Sequence, residues 1–146
     1  VNFHPLPHSL PVTVRQAIGH LAAGPREDSE HSPELIEAWR RCPRGKSLRK
    51  IVPTVSSFQS VRLDPDRPST TQTSAHFNWH YEHARYLKVS ELALIGSFPH
   101  AFSWPCSRET AKTLIGNSVP PLFMRAIARH IRFVMIPAAR REETAA

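Results

Sequence analysis

"GNSVPPLFMRAIARHI", residues 116–131, sets a short polar turn and two prolines directly before a long amphipathic run. Gly116 can take backbone angles closed to residues with a Cβ, and a proline is tolerated at the first helical position because the N–H it lacks has no intrahelical partner there. The stretch therefore reads as a helix entry. The helix is expected from Pro121 to about Ile136, with Leu122, Phe123, Ala126, Ile127, Ile131 and Val134 on its apolar face. Arg125, Arg129 and Arg132 fall on another side, as a solvated stripe or as a contact for an acidic surface.

Working upstream, Ser107 is placed to cap a short helix whose Ala111, Leu114 and Ile115 face the core, and "VSELALI", residues 89–95, has helical periodicity. The loop "GSFPHAFSWPC", residues 96–106, joins the two. Thr13, with Gln16 three residues later, forms a capping box before "VRQAIGHL", where Val14, Ala17, Ile18 and Leu21 share one face. Ser32 and Pro33 repeat the start signal before "ELIEAWRR", which Cys42 and Pro43 end. Residues 24–31 read as a surface loop and the proline-broken opening as an extended connector. Between Ile51 and Phe77 the character turns β-branched, and "TVSSFQSVRL" (54–63) and "STTQTSAHF" (69–77), separated by "DPDRP", are the strand candidates.

The 146 residues suffice for one domain with a sizeable core, and 40% hydrophobic content favours folding over disorder. Nineteen Lys plus Arg against twelve Asp plus Glu give a formal charge of +7, which suits an acidic partner, nucleic acid being the commonest, though many basic proteins share that balance. Cys42 and Cys106 cannot make a dense disulfide framework, and a reducing compartment is the default. No apolar run approaches the roughly 18 residues of a membrane span, and no signal-peptide pattern opens the chain. A soluble intracellular chain is expected. Its first residue, Val1, hints at processing or at a segment of something longer.

Few constellations carry chemistry. Arg44, Lys46, Arg49 and Lys50 gather near Gly45, either as a phosphate-facing loop or as a solvated basic one, with no aromatic residues interleaved to stack on bases. His76, His80 and His83, with Glu82, have zinc-type donors but match neither a HExxH helix nor a Cys/His finger, so no metal is expected. Cys106 follows Pro105 without a base at constrained spacing and reads as inert. There is no P-loop, serine elbow or glycine-rich nucleotide loop.

Two ordered stretches carry a resemblance. "IGNSVPPLFMRAIARHI" resembles the last conserved motif of the DNA cytosine-5 methyltransferases, and "RYLKVSELALIGSFP", residues 85–99, is similar to the motif that precedes it. "SFQSVRLDPDRPSTTQT" and the histidine before "YEHARYL" resemble the segment leading into that motif, and "VTVRQAIGHL" the connector after the catalytic domain's last strand, so the likeness runs over about residues 3–136. It implies an α+β fold: a small mixed target-recognition domain with a C-terminal helix that packs on a Rossmann-like methyltransferase domain not contained in this chain. The expected division is a connector (1–12), the small domain (13–106), the last motif and its helix (107–136), and a flexible tail (137–146).

The resemblance implies roles residue by residue. Arg85, Leu87, Glu91, Phe98 and Pro99 match positions that organise the small domain, and Leu94 and Gly96 stand where the family frequently has arginine and glutamine. Gly116, Asn117, Ser118, Val119 and Pro120 match the last motif, in which Asn117, with Ser118, would lie beside S-adenosylmethionine, against the plainer reading of Asn117 as a turn former. No catalytic residue is expected here: the attacking cysteine, the glutamate that engages cytosine and the glycine-rich cofactor loop belong to the absent domain, and Cys106 lies outside the nucleophile's position. Thr70, Thr71, Gln72 and Thr73 are candidate DNA readers, or strand-surface residues without that role. The implied partners are double-stranded DNA and the catalytic domain, in the same chain or as a separate subunit. The setting would be cytoplasmic or DNA-associated in a bacterium, in restriction-modification. The alternatives are a stand-alone or degenerate binding module and the small subunit of a split enzyme.

Overall fold

The computed structural model describes residues 11–21, 31–53, 60–74 and 78–145. The chain forms two compact units, one spanning Pro11–Ser118 and one containing Val119–Ala146.

The first unit is built on local helix starts joined by long-range backbone bonds. Helix α1, Val14–Ile18, opens with the expected capping box, the Gln16 amide donating to Thr13 Oγ1 and the Thr13 amide to Gln16 Oε1. The next two orphan amides, those of Val14 and Arg15, donate to the carbonyls of Arg67 and Pro65, so the "DPDRP" turn satisfies what the helix cannot. Helix α2, Pro33–Arg41, is capped by Ser32 and buries Ala38 and Trp39. A 3-10 turn follows at Leu48–Lys50. Helix α3, Val89–Ile95, packs between α1 and α4, Arg108–Asn117, and Ser107 caps α4 through the Thr110 amide.

Two apolar clusters hold this unit together. Val14, Ile18, Leu63, Tyr81, Leu87, Leu92, Ala93 and Ile115 form one, and Trp39, Cys42, Leu48 and Trp79 the other. Each fully buried aliphatic side chain is worth about 1.5–3 kcal/mol against exposure, which is the main return for ordering so irregular a chain.

The expected α+β character is not found. Among the described residues there is no strand or sheet, and the regular structure is helical; extended chain meets only as isolated bridges, Ser47 with Val61, Arg62 with Trp79 and Trp79 with Tyr86. Residues 54–59 of the first strand candidate and 75–77 of the second lie outside the described residues. For the rest the reason is local competition. Gln72 Nε2 donates to Ser69 Oγ and to the Thr70 carbonyl, and Asn78 Nδ2 to Thr70 Oγ1, so polar side chains take up the backbone and one another where a ladder was expected. Arg62, in the first candidate, also turns from strand to clamp. Its guanidinium donates to the carbonyls of Tyr81, Trp39 and Cys42 and lies 4.0 Å over the Trp39 ring.

The second unit is a single helical run: α5, Pro121–His130, a π turn at Ile131–Met135, and α6, Ile136–Ala145. It continues past the boundary expected near Ile136. Pro120 stands at the N-cap and Pro121 in the first turn, as the sequence requires.

Candidate functional site

The stretch 78–99 is organised around a buried ion pair. Arg85 donates through Nη1 to Glu91 Oε2 at 2.8 Å and through Nη2 to Glu91 Oε1 at 2.7 Å, with both residues 3% exposed. Glu91 sits in the first turn of α3 and its Oε2 also accepts the Lys88 amide, closing the helix N-terminus where no side chain at position 88 can accept. Burial pushes the Glu91 carboxyl up, but the bonds from Arg85 and the Lys88 amide and the nearby Arg85 charge outweigh it and hold it below the usual range. Leu87, 1% exposed, is core.

His80 completes the knot. Its Nδ1 accepts the amides of Glu82 and His83, so Nε2 carries the proton and lies 3.9 Å from Glu91 Oε1. Burial, with Arg85, His83 and Lys88 adding to it against the pull of Glu91, lowers its pKa to about 4. The histidine thus organises a loop as a neutral ring. His76 lies outside the described residues.

Helix α3 ends in a Schellman motif, with the Phe98 amide donating to the Ala93 carbonyl and the Ser97 amide to that of Leu94. The left-handed position falls on Ser97, φ 64°, one residue after Gly96. Phe98 then packs edge-on against Phe102 and Trp104, and the exposed Pro99 accepts the Phe102 amide through its carbonyl.

At the end of α4 the glycine has a different reason from the one its sequence suggested. Gly116 is helical and is not among the positive-φ residues; what excludes a side chain is space. A Cβ there would stand 2.5 Å from Thr73 C, 2.7 Å from Ser74 Cα, and closer still to the Ser74 amide nitrogen. The backbone of 73–74 therefore lies directly on the turn. Gln72, Thr73, Ser74, Leu92, Lys112, Ile115 and Gly116 line a small crevice at this junction, and Gln72 Oε1 and Thr73 Oγ1 are buried without a hydrogen-bond partner among the described residues. Beyond Gly116, Asn117 is exposed, whereas the Ser118 hydroxyl donates to the Ile115 carbonyl at 2.7 Å and so is spent on ending the helix.

The other candidates divide. Thr71 is exposed, and Thr70 and Gln72 are partly used in the internal bonds above. Arg44, Lys46 and Lys50 are exposed on a loop anchored by buried Cys42 and Leu48, and Arg49 is half-buried. Gly45, φ 76°, makes the turn there, and its amide donates to the Arg62 carbonyl. Of the thiols, Cys106 is exposed; Cys42 is buried, which raises its pKa, and it points at the Lys46 carbonyl. Sequence reading missed Arg62, Ser74 and Lys112, because nothing in their spacing marks partners so distant along the chain. On α5 and the π turn, Leu122, Phe123, Met124, Ile131, Phe133 and Val134 are exposed. Among the described residues no helix is long and apolar enough to cross a membrane.

The chain is 32% identical over 148 residues to the type II methyltransferase M1.HphI of Haemophilus parahaemolyticus, an alignment covering 90% of this chain and 39% of that protein. It is 31% identical over 118 residues to M.AquIB of a Picosynechococcus species, covering 72% of this chain and 84% of that relative. To M.BbvI of Brevibacillus brevis it is 31% identical over 113 residues, 74% of this chain and 27% of that enzyme. It thus spans about two fifths of M1.HphI but most of M.AquIB. No solved structure matches. The family model for C-5 cytosine-specific DNA methylases matches residues 8–132, and with most of its length inside that match the chain belongs to this family.

Proposed function

We propose that this chain is the DNA-recognition and cofactor-pocket-completing segment of a DNA (cytosine-5-)-methyltransferase, acting with a Rossmann-like catalytic domain supplied in the same polypeptide or by a separate subunit. One observation carries the reading: the last family motif presents an exposed Asn117 and leads into a helix whose apolar residues, Phe123 at 57% and Phe133 at 62% exposed among them, are left uncovered. Apolar surface on that scale calls for a partner face.

In this arrangement S-adenosylmethionine supplies the methyl group, within a pocket formed mainly by the catalytic domain. Asn117 fits one edge of it, its amide offering both a donor and an acceptor; Ser118 contributes through the turn it holds, since its hydroxyl proton is engaged. The attacking thiolate comes from the catalytic domain. Cys42 is buried with a raised pKa, and Cys106, with Arg108 and Glu109 nearby in sequence, has no base at a constrained spacing. The loop carrying Arg44, Lys46 and Lys50 meets DNA phosphates, and the 70–73 segment faces the bases. Because cytosine C5 must be reached from outside the stack, both would grip a duplex from which the target base is extruded.

The test is reconstitution. The chain and a family catalytic domain, each alone and then together, are supplied with duplex DNA and labelled S-adenosylmethionine. Label in cytosine only when both are present is expected. Incorporation by this chain alone, or none by a competent pair that binds it, defeats the reading.

A further inference from the structure

We propose that Gly116 is the positioning residue that seats the Gln72–Ser74 segment on the end of α4, so that the residues offered to DNA and the turn offered to the cofactor are held as one unit. The inference rests on the methyltransferase reading for what the two segments serve, but its geometric basis is independent of it. Gly116 needs no left-handed conformation, and the atoms nearest an added Cβ are those of the 73–74 backbone.

The three nearest neighbours of a Cβ at position 116 are all main chain: Thr73 C, Ser74 Cα and the Ser74 nitrogen. Rotating a side chain would not relieve these three contacts. Either 73–74 lifts or the end of α4 shifts, and overpacking of this kind is resisted on both sides. Each side is tied onward. Gln72 bonds Ser69 and Thr70, and Asn78 holds Thr70, which fixes the segment below the contact. Ser118 bonds Ile115 through both its amide and its hydroxyl, which fixes the turn that carries Asn117. Gln72 Oε1 and Thr73 Oγ1, buried without a hydrogen-bond partner among the described residues, lie on residues that line the same crevice, a cost tolerated where the contact itself is required.

The experiment compares Gly116→Ala with Gly19→Ala, whose added methyl would meet the Arg15 carbonyl oxygen at 2.5 Å at the C-terminal end of α1 and so supplies a backbone clash elsewhere. In the isolated chain, amide hydrogen exchange should accelerate about tenfold at 115–118 and backbone order parameters should fall across 69–74 for Gly116→Ala, with neither change for Gly19→Ala. Ser74→Gly, which loosens the segment without adding an atom, should also speed exchange at 115–118 and keeps the test decisive if Gly116→Ala does not fold. Loosening of one segment while the other stays unchanged overturns the proposal. In the assembled enzyme, Gly116→Ala should raise KM for DNA and for S-adenosylmethionine together, by about tenfold each, with Gly19→Ala changing neither; a rise in one alone also overturns it. Absence of methyl transfer by the wild-type assembly would instead defeat the functional reading, and the isolated-chain result would still decide the seat.

Discussion

Arg85 grips Glu91 with both terminal nitrogens, six residues apart in sequence and almost wholly out of solvent. Breaking one side of such a pair strands the other charge in a medium that cannot solvate it. Glu91→Gln should therefore destabilise the fold by about 3–5 kcal/mol, while replacing both by apolar residues of similar volume should cost much less. Urea unfolding of the single and double variants checks this, and equal losses in the two would show that the buried charge is not the cause.

Acid should weaken the fold earlier than carboxylates alone would allow. With a native pKa of about 4 against 6.5 for an ordinary imidazole, His80 leaves the unfolded chain binding the extra proton between those values. Stability is then full above pH 6.5 and falls by about 3 kcal/mol on the way to pH 4. Glu91, held below its ordinary value, adds a further loss as pH falls through its native pKa. His80→Asn, whose Oδ1 can take over the Glu82 and His83 amides, should flatten the melting temperature between pH 6.5 and 4.5.

The Schellman turn offers a gain. Ser97 occupies the left-handed position that glycine fills at least cost, while Gly96 stands one residue too early to help. Ser97→Gly should stabilise the chain by about 0.5–1 kcal/mol, less the unfolded-state entropy that glycine adds. A lower melting temperature would mean that the serine side chain compensates its backbone.

Asn117→Ala and Phe123→Asp should separate cofactor use from assembly. Both residues are exposed in this chain, so neither change should move its melting temperature by more than about 0.5 kcal/mol equivalent. With a catalytic domain present, Phe123→Asp should weaken complex formation at least tenfold by forcing an unpaired charge into the contact. Asn117→Ala should leave complex formation intact and raise KM for S-adenosylmethionine. Light scattering and steady-state kinetics on the same samples distinguish the two.

The parts of this molecule that could be read from sequence are those whose physics is short-range. Thr13 with Gln16, Ser32 with Pro33, and Ser107 specify helix starts because a capping side chain reaches an amide only two or three residues away. The family was legible for a related reason, since each of its last two motifs is an unbroken stretch of chain. Strand formation was not. The stretch 69–77 reads as a strand, yet Thr70 and Gln72 within it found local side-chain partners, Asn78 among them, and whether a ladder or a bonded loop wins depends on what lies alongside.

Tertiary structure alone decided the rest. The Gly116 turn could be located from sequence, but not its cause, because the atoms that exclude a Cβ belong to Thr73 and Ser74, more than forty residues earlier. Arg85 and Glu91 carry opposite charges whatever the fold; only burial made their pair a structural requirement where an exposed one would be worth little, and only the Glu82 and His83 amides set which nitrogen of His80 holds its proton. Sequence determines which contacts a residue is chemically able to make, and the packed chain determines which it is made to choose, because desolvation and excluded volume depend on neighbours that chain order does not reveal.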